Sequence, residues 1–286
     1  MPELPEVETI KLGLAKKIIG KCITEIIVLN QKSFLGKPKL VQNKKITSVE
    51  RRAKNLIIKF SNNFNILIHL KMTGQLIYIK KNKRVAGGHP SHDWHDKLPN
   101  KYTRVEYVFD DNSRLYFNDL RKFGWCKVVD NETLEKTLNL FGPEPFSDDF
   151  TVQYLKTKAT RIPNRTVKQL LMDQTIVAGI GNIYNDETLF LSKIHPKTKA
   201  GKLTDKQWEL IKKNVLIVLK KSIKYGGTTD SDYVNSDGKN GGMQDHLNVY
   251  HRTGKDCKNS CGDKIVRIKI GGRGTYYCLT CQKELE

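Results

Sequence analysis

Two groups of residues in this chain have the types and spacing for chemistry, one at each end. Pro2 becomes a secondary amine once Met1 is removed. Free α-amino groups have pKa values of roughly 7.7–8.0, against about 10.4 for lysine, so a useful fraction is unprotonated near neutral pH. Such an amine can attack a sugar carbon and form an iminium ion, by the logic of a lysine Schiff base. Glu3 stands next to it and can supply or accept the proton the reaction needs. The stretch Pro2-Glu3-Leu4-Pro5-Glu6-Val7-Glu8 has a plainer reading too. Proline suits a first helical turn, and carboxylates there complement the positive end of the dipole.

At the other end, Cys257-x3-Cys261 and Cys278-x2-Cys281 form two close pairs separated by a hairpin-length segment. Four thiolates at that spacing fit a closed tetrahedral site for one structural Zn²⁺. Disulfide pairing is the alternative, and belongs to an oxidising compartment. Between the pairs, residues 265–270 and 275–277 read as strands around Gly271-Gly272-Arg273-Gly274, with Arg273 at the tip. A guanidinium on a rigid hairpin suits phosphate binding.

Three further motifs carry weaker signals. Gly179-Ile180-Gly181-Asn182-Ile183-Tyr184 lies between two helical segments and lacks the third glycine of a dinucleotide fingerprint. It offers backbone N–H groups at a helix N-terminus to a phosphate, with Asn182 as cap and ligand. A helix-turn-helix packing unit fits it as well. His69-Leu70-Lys71-Met72-Thr73-Gly74 and Asp119-Leu120-Arg121-Lys122-Phe123-Gly124 each end a β run. Met72, Arg121 and Phe123 are residue types that wedge into a base stack or fill the gap left by an extruded nucleotide. A Met and a Phe after strands are more often core. His89, His92 and His95 have the spacing of a metal tract but sit in a polar loop without a matching partner.

These residues need elements to hold them. Residues 5–19 carry Val7, Ile10, Leu14 and Ile18 at helical spacing, and Gly20 stops the helix. Strand candidates follow at 23–29, 55–60, 64–70, 75–79, 102–109 and 114–117, with turn signals at Asn62-Asn63 and Asp110-Asp111-Asn112. Such close spacing indicates a sandwich or barrel. Residues 81–100 read as a long surface loop, and Cys22 and Cys126 as buried reduced thiols in strand-like segments. After 130 the texture turns helical, at 131–140, 148–158, 166–173, 182–191 and 204–224, the last with Trp208, Ile211, Val215, Val218 and Leu219 on one face. Gly142-Pro143-Glu144-Pro145 is a stiff connector, and the glycine-punctuated polar stretch 226–242 predicts a mobile loop.

The 286 residues suffice for two domains, and 50 Lys+Arg against 30 Asp+Glu give a net charge of +20. That surplus favours a polyanion, of which nucleic acid is the commonest. No 18-residue apolar run exists, which excludes a membrane-spanning helix. The acidic start without an apolar signal core predicts a cytoplasmic protein, nucleoid-associated through DNA.

Taken together, the motifs resemble the Fpg/Nei family, on its formamidopyrimidine-DNA glycosylase side. The resemblance runs through Pro2 to Glu8, Arg51-Arg52-Ala53-Lys54, Asp119 to Gly124, Gly142 to Pro145, Met172-Asp173-Gln174, Gly179 to Tyr184 and the hairpin 271–281. It implies an α+β fold. An N-terminal β-sandwich with an N-terminal helix occupies 1–130, and a linker follows at 131–147. A helical helix-two-turn-helix domain covers 148–248, and a β-hairpin zinc finger with four cysteine ligands covers 249–286. It implies a monomer acting on double-stranded DNA with oxidised bases or abasic sites. Pro2 is then the nucleophile on C1′, Glu3 the acid/base, and Lys54 and Arg273 the grips on phosphates beside the lesion. Asn182, Tyr102 and Arg165 contact DNA, and Met72, Arg121 and Phe123 fill the duplex after the lesion is flipped.

Some positions depart from the family. The first cysteine pair has one extra residue, Ser231 stands where some relatives carry a basic residue near the lesion, and Tyr102 where some have histidine. Leu4, where the Nei branch has glycine, favours oxidised purines. A Nei-type enzyme for oxidised pyrimidines, and a non-catalytic zinc-ribbon DNA-binding protein, remain the alternatives.

Overall fold

The structure, a computed structural model, describes residues 1–81, 83–88, 97–228 and 241–284, with the backbone alone for 83–86. The stretch with His89, His92 and His95, and most of the glycine-punctuated segment with Ser231, therefore lie outside the described residues. The chain divides into two compact units, Met1–Asn139 with Ser222–Gln244, and Leu140–Lys221 with Asp245–Glu286.

The first unit begins with α1 (Leu4–Ile18). Pro5 lies in its first turn, where a missing N–H costs nothing, and Gly20 follows its end at φ +88°. Val7, Ile10, Leu14 and Ile18 are all buried along one stripe. Two five-stranded sheets follow. One has the order β1-β8-β9-β6-β7, from β1 (Ile23–Val28), β6 (Gly74–Lys80), β7 (Lys83–Gly88), β8 (Thr103–Phe109) and β9 (Arg114–Asp119). The other has the order β2-β10-β5-β4-β3, from β2 (Phe34–Leu35), β3 (Ile46–Arg52), β4 (Asn55–Phe60), β5 (Phe64–His69) and β10 (Trp125–Asp130). All these pairings are antiparallel except β2 with β10. Alternate residues from both sheets meet in one core: Leu76, Tyr107 and Phe117 from the first, Ile58, Ile66, Ile68 and Cys126 from the second, with Leu14 of α1 among them. α2 (Asn131–Leu138), capped by the Asp130 carboxylate on the Thr133 N–H, lays Leu134 against Ile57, Leu67 and Val129.

Two expectations need correction here. Residues 81–100 are not all loop, because Lys83–Gly88 pairs with β6 from Lys80↔Lys83 to Gln75↔Gly88. Its composition, KRVAGG, carries no apolar alternation, and Gly87 is where the helix comes close. A Cβ there would sit 2.6 Å from Ile10 Cγ1. Cys126 is buried, but Cys22 is only partly so, on an isolated bridge to Lys45.

The second unit is built from α3 (Val152–Arg161), α4 (Val167–Met172), α5 (Asn182–Leu191) and α6 (Asp205–Lys224), followed by a hairpin of β11 (Ile265–Ile270) and β12 (Arg273–Cys278). Trp208, Ile211, Val215, Val218 and Leu219 of α6 are buried, as their spacing predicts. No described helix is long and apolar enough to cross a membrane. On α1, Leu14→Ala should lower stability by about 2–5 kcal/mol through cavity formation. Leu12→Ala, at a position 45% exposed, should stay within roughly 0.5 kcal/mol. Denaturant midpoints of the two variants check the contrast.

Candidate active site

At the start of α1, Pro2 and Glu3 are both buried, while Met1 is exposed. Glu3 is the N-cap, and the carboxylate of Glu6 reaches back to accept its N–H at 2.9 Å. The other oxygen of Glu6 accepts the Thr228 N–H at 2.8 Å. Glu6 is 2% exposed, so its carboxylate depends on these donors in place of water. One side chain thus fixes where the N-terminus points and anchors the last described residue before position 229. Two residues on, Glu8 accepts from Arg51 Nε at 2.8 Å, and Arg51 also donates to the Ala53 carbonyl at 3.0 Å. Burial opposes charge on Glu8, but Lys11 and Arg51 outweigh it and hold the carboxyl below its ordinary range. Ala53-Lys54 is a two-residue turn between β3 and β4, with Ala53 at φ +54° and Lys54 buried. An ion pair from α1 therefore steadies the turn that carries Lys54.

A second cluster in this unit surrounds Asp119, which is buried at the end of β9. Its carboxylate accepts the Thr73 hydroxyl, the Arg121 N–H at 3.2 Å and the Gly124 N–H at 2.7 Å. The Arg121 N–H also reaches Thr73 Oγ1 at 3.0 Å. The turns with Met72 and with Arg121 to Gly124 are therefore tied to a single group. Met72 and Phe123 stand out at 37% and 55% exposure, so they are not core. The Arg121 guanidinium lies 4.8 Å over the Phe123 ring. Tyr102 belongs to the same cluster, since its carbonyl accepts the Asp119 N–H at 2.9 Å. On the Met72 side, His69 Nδ1 accepts the Lys71 N–H at 2.9 Å, supporting Lys71 at φ +51°. Burial, with the Lys71 and Lys54 charges nearby, lowers His69 to about 3. The imidazole is neutral and can act as that acceptor.

In the second unit, α5 grips the hairpin twice. Asn182 Nδ2 donates to the Gly274 carbonyl at 2.8 Å, and Asp186 accepts the Tyr276 N–H at 3.0 Å. Gly181, not Asn182, is the N-cap of α5. Asp186 also pairs with Lys168 of α4 at 2.5 Å, with both side chains at or below 1% exposure. Burial raises the Asp186 carboxyl, and the Lys168 ammonium works against that rise. Its neighbour Glu187 accepts the N–H groups of Asn248, Val249 and Tyr250 at 2.8–3.0 Å. Arg273 opens β12 opposite Ile270, so the tip of the hairpin is Gly271-Gly272 and the exposed Arg273 flanks it. Arg165 and Arg273 line one small cleft of about 190 Å³ together with Lys168, and Arg165 pairs there with Asp173 at 2.7 Å.

At the base of this hairpin the four cysteine sulfurs lie within 4.8 Å of one another. Cys257–Cys281 is 3.8 Å and Cys261–Cys278 3.5 Å. Zn–S bonds of about 2.3 Å place tetrahedral sulfurs about 3.8 Å apart, whereas a disulfide needs roughly 2.05 Å. The extra residue in the first pair is absorbed by Ser260 at φ +53°. Asn259 Nδ2 and the Cys281 N–H approach ligand sulfurs at 3.4 and 3.5 Å, outer donors of the kind a thiolate site uses. Burial pushes the Cys257 thiol up to about 12, so its thiolate needs the charge of a cation nearby, and the four-sulfur donor set suits one structural zinc.

Glu6, Asp119, Asp186 and Glu187 are the contributors that motif reading missed. For the first two a signal was present, a carboxylate three residues past the N-cap and an acid opening the D-x-R-K-F-G motif. For Asp186 and Glu187 nothing in the local sequence names their partners.

Comparison with known proteins bears on this arrangement. The family profile of the formamidopyrimidine-DNA glycosylase N-terminal domain matches residues 1–126, its H2TH domain 141–234, and the zinc finger found in FPG and IleRS 254–283. A formamidopyrimidine-DNA glycosylase of Rickettsia conorii is 40% identical over 290 residues, and one of Ligilactobacillus salivarius 38% over 288, each covering 99% of both chains. Among solved structures, a complex between the Lactococcus lactis Fpg and DNA containing an abasic site aligns with a TM-score of 0.87 at 33% identity. It covers 99% of this chain and all of that one.

The His69 environment predicts a pH dependence. The folded value of about 3 lies below the ordinary 6.5, so beneath pH 6.5 the unfolded chain takes up a proton that the native one refuses. The contribution of His69 is intact above about pH 6.5 and is lost as pH falls toward 3. His69→Asn, which keeps an acceptor for the Lys71 N–H, should lose stability less steeply across that window. Parallel slopes of unfolding free energy against pH would contradict this.

Proposed function

Because the chain belongs to the formamidopyrimidine-DNA glycosylase family of DNA-repair enzymes, we propose that it excises oxidised purines, formamidopyrimidines and 8-oxoguanine, and then nicks the strand. The observation that carries the reading is the buried Pro2-Glu3 start, whose direction the Glu6 carboxylate sets. Pro2 attacks C1′, the glycosidic bond breaks, and the base leaves with its electron pair and gains a proton. Glu3, the acid/base beside it, helps the sugar ring open. The iminium at C1′ acidifies the C2′ hydrogens. Loss of one expels the 3′ phosphate by β-elimination, and δ-elimination then releases the 5′ phosphate. With Met1 attached the proline nitrogen is an amide and does not react, so the active form starts at Pro2.

The binding roles follow from chemistry and position. Lys54 of the first unit and Arg273 of the second each take a backbone phosphate. Asn182 has a second amide hydrogen for DNA besides the one given to Gly274, and Arg165 adds charge in the cleft it shares with Arg273. Exposed Met72, Arg121 and Phe123 fill the stack once the damaged nucleotide leaves it, and Tyr102 supports their turn. Zinc, when bound, would crosslink the four cysteines and fix the hairpin that carries Arg273 beside its tip.

Borohydride added to the protein with an abasic-site duplex should trap a covalent complex, and Pro2→Gly should reduce it at least tenfold. No band from wild type, in conditions where the duplex is bound, would remove the lyase assignment. On matched duplexes 8-oxoguanine should be excised faster than thymine glycol, and the reverse order would move the chain to the oxidised-pyrimidine alternative. Stripping the zinc should cost strand cleavage by freeing the Arg273 hairpin. Unchanged nicking by protein shown zinc-free by elemental analysis would refute that role.

A further inference from the structure

The far end of α1 carries a feature that the repair chemistry does not use. A cavity of about 500 Å³ opens there, lined by Lys16 and Lys17 of the last helical turn, Lys21 just beyond it, Lys80 at the end of β6 and Lys81 after it. Fifteen residues of helix at about 1.5 Å each place it roughly 22 Å along α1 from Leu4, remote from Pro2. The volume is that of a small-molecule site rather than of a groove for a duplex.

The charges are organised. The Asp111 carboxylate accepts Lys21 at 2.7 Å and Lys80 at 2.8 Å. Burial works against its charge, but these two ammonium groups outweigh it and hold the carboxyl well below the usual range. Lys21 also donates to Ser113 at 2.9 Å and to the buried Tyr78 hydroxyl, so all three of its hydrogens are engaged and its position is set. Lys16, Lys17 and Lys81 pair with no carboxylate among the described residues. Five ammonium groups less one carboxylate leave four positive charges around one concavity. Ile19, 47% exposed, and Tyr78 add apolar surface to its wall. Five ammonium groups around one concavity, three of them without a carboxylate partner among the described residues, suit a ligand of several negative charges in small volume.

We propose that this cavity is a second anion site, which takes the polyphosphate group of a small anion and does so with DNA bound. Lys21 is its fixed charge, Lys80 shares the Asp111 carboxylate with it, and Lys16, Lys17 and Lys81 supply free donors. A nucleoside triphosphate also has a base to lay on Ile19, whereas inorganic polyphosphate uses the lysines alone.

The test is calorimetric titration of sodium tripolyphosphate, and separately of ATP without magnesium, into full-length protein loaded with a duplex carrying a tetrahydrofuran abasic analogue. Binding should be one to one, and tighter for ATP if the apolar wall is used. The triple variant Lys16→Ala, Lys17→Ala, Lys81→Ala should lose roughly tenfold in affinity per contact removed, with borohydride trapping of DNA as in wild type. A charge-matched variant on α6, Lys206→Ala, Lys213→Ala, Lys220→Ala, should bind as wild type. No heat from the duplex-loaded protein overturns the proposal. So does equal weakening by the two triple variants, which would reduce the effect to net charge.

Discussion

A turn that displays cations or apolar groups to a polyanion cannot satisfy its own backbone N–H groups, and this protein meets that constraint with buried carboxylates. Glu6 takes the N–H groups of Glu3 and Thr228, Asp119 those of Arg121 and Gly124, Asp186 that of Tyr276, and Glu187 those of residues 248–250. Each acid lies inside, and of the segments they hold only the one with Arg121 and Phe123 and the tip with Arg273 carry exposed side chains. A buried carboxylate without donors costs several kcal/mol, so each of these backbone N–H groups is matched to an acid that needs donors.

The same logic sorts the basic residues by what they are committed to inside the fold. Lys168 is as basic as Arg273, yet it is buried against Asp186 and its charge is used between α4, α5 and the hairpin. Arg51 is likewise committed to Glu8 and the Ala53 carbonyl, which leaves Lys54 on the turn that Arg51 supports.

The zinc hairpin shows how little a local irregularity matters when the ligand geometry is tight. One more residue between Cys257 and Cys261 leaves the sulfurs within 4.8 Å of one another, because the chain turns through a positive φ at Ser260. Metal and helix then act on opposite ends of β12. The sulfurs hold Cys278, while Asn182 and Asp186 hold the backbone at Gly274 and Tyr276.

Local patterns were legible without coordinates wherever neighbours in sequence are neighbours in space. The apolar stripe of α1, the face of α6, the span of α5, the cysteine pairs and the strand at 55–60 all belong to this class, because helical period, alternation and ligand spacing act over a few residues. The exposure of Met72 and Phe123 was not legible, since a Met or Phe after a strand is core or wedge according to what surrounds it. Nor was β7, whose composition has no strand pattern and whose place comes from pairing with β6 and from the close approach of Ile10 to Gly87. The sequence by itself determined which residues could be nucleophile, phosphate grip and zinc ligand. Only the tertiary structure decided which distant segments tie them down, because the second partner of Glu6, Thr228, lies 222 residues away and the Gly274 partner of Asn182 lies 92 away. No local pattern reaches across such a separation, since the pairing exists only once the intervening chain has folded.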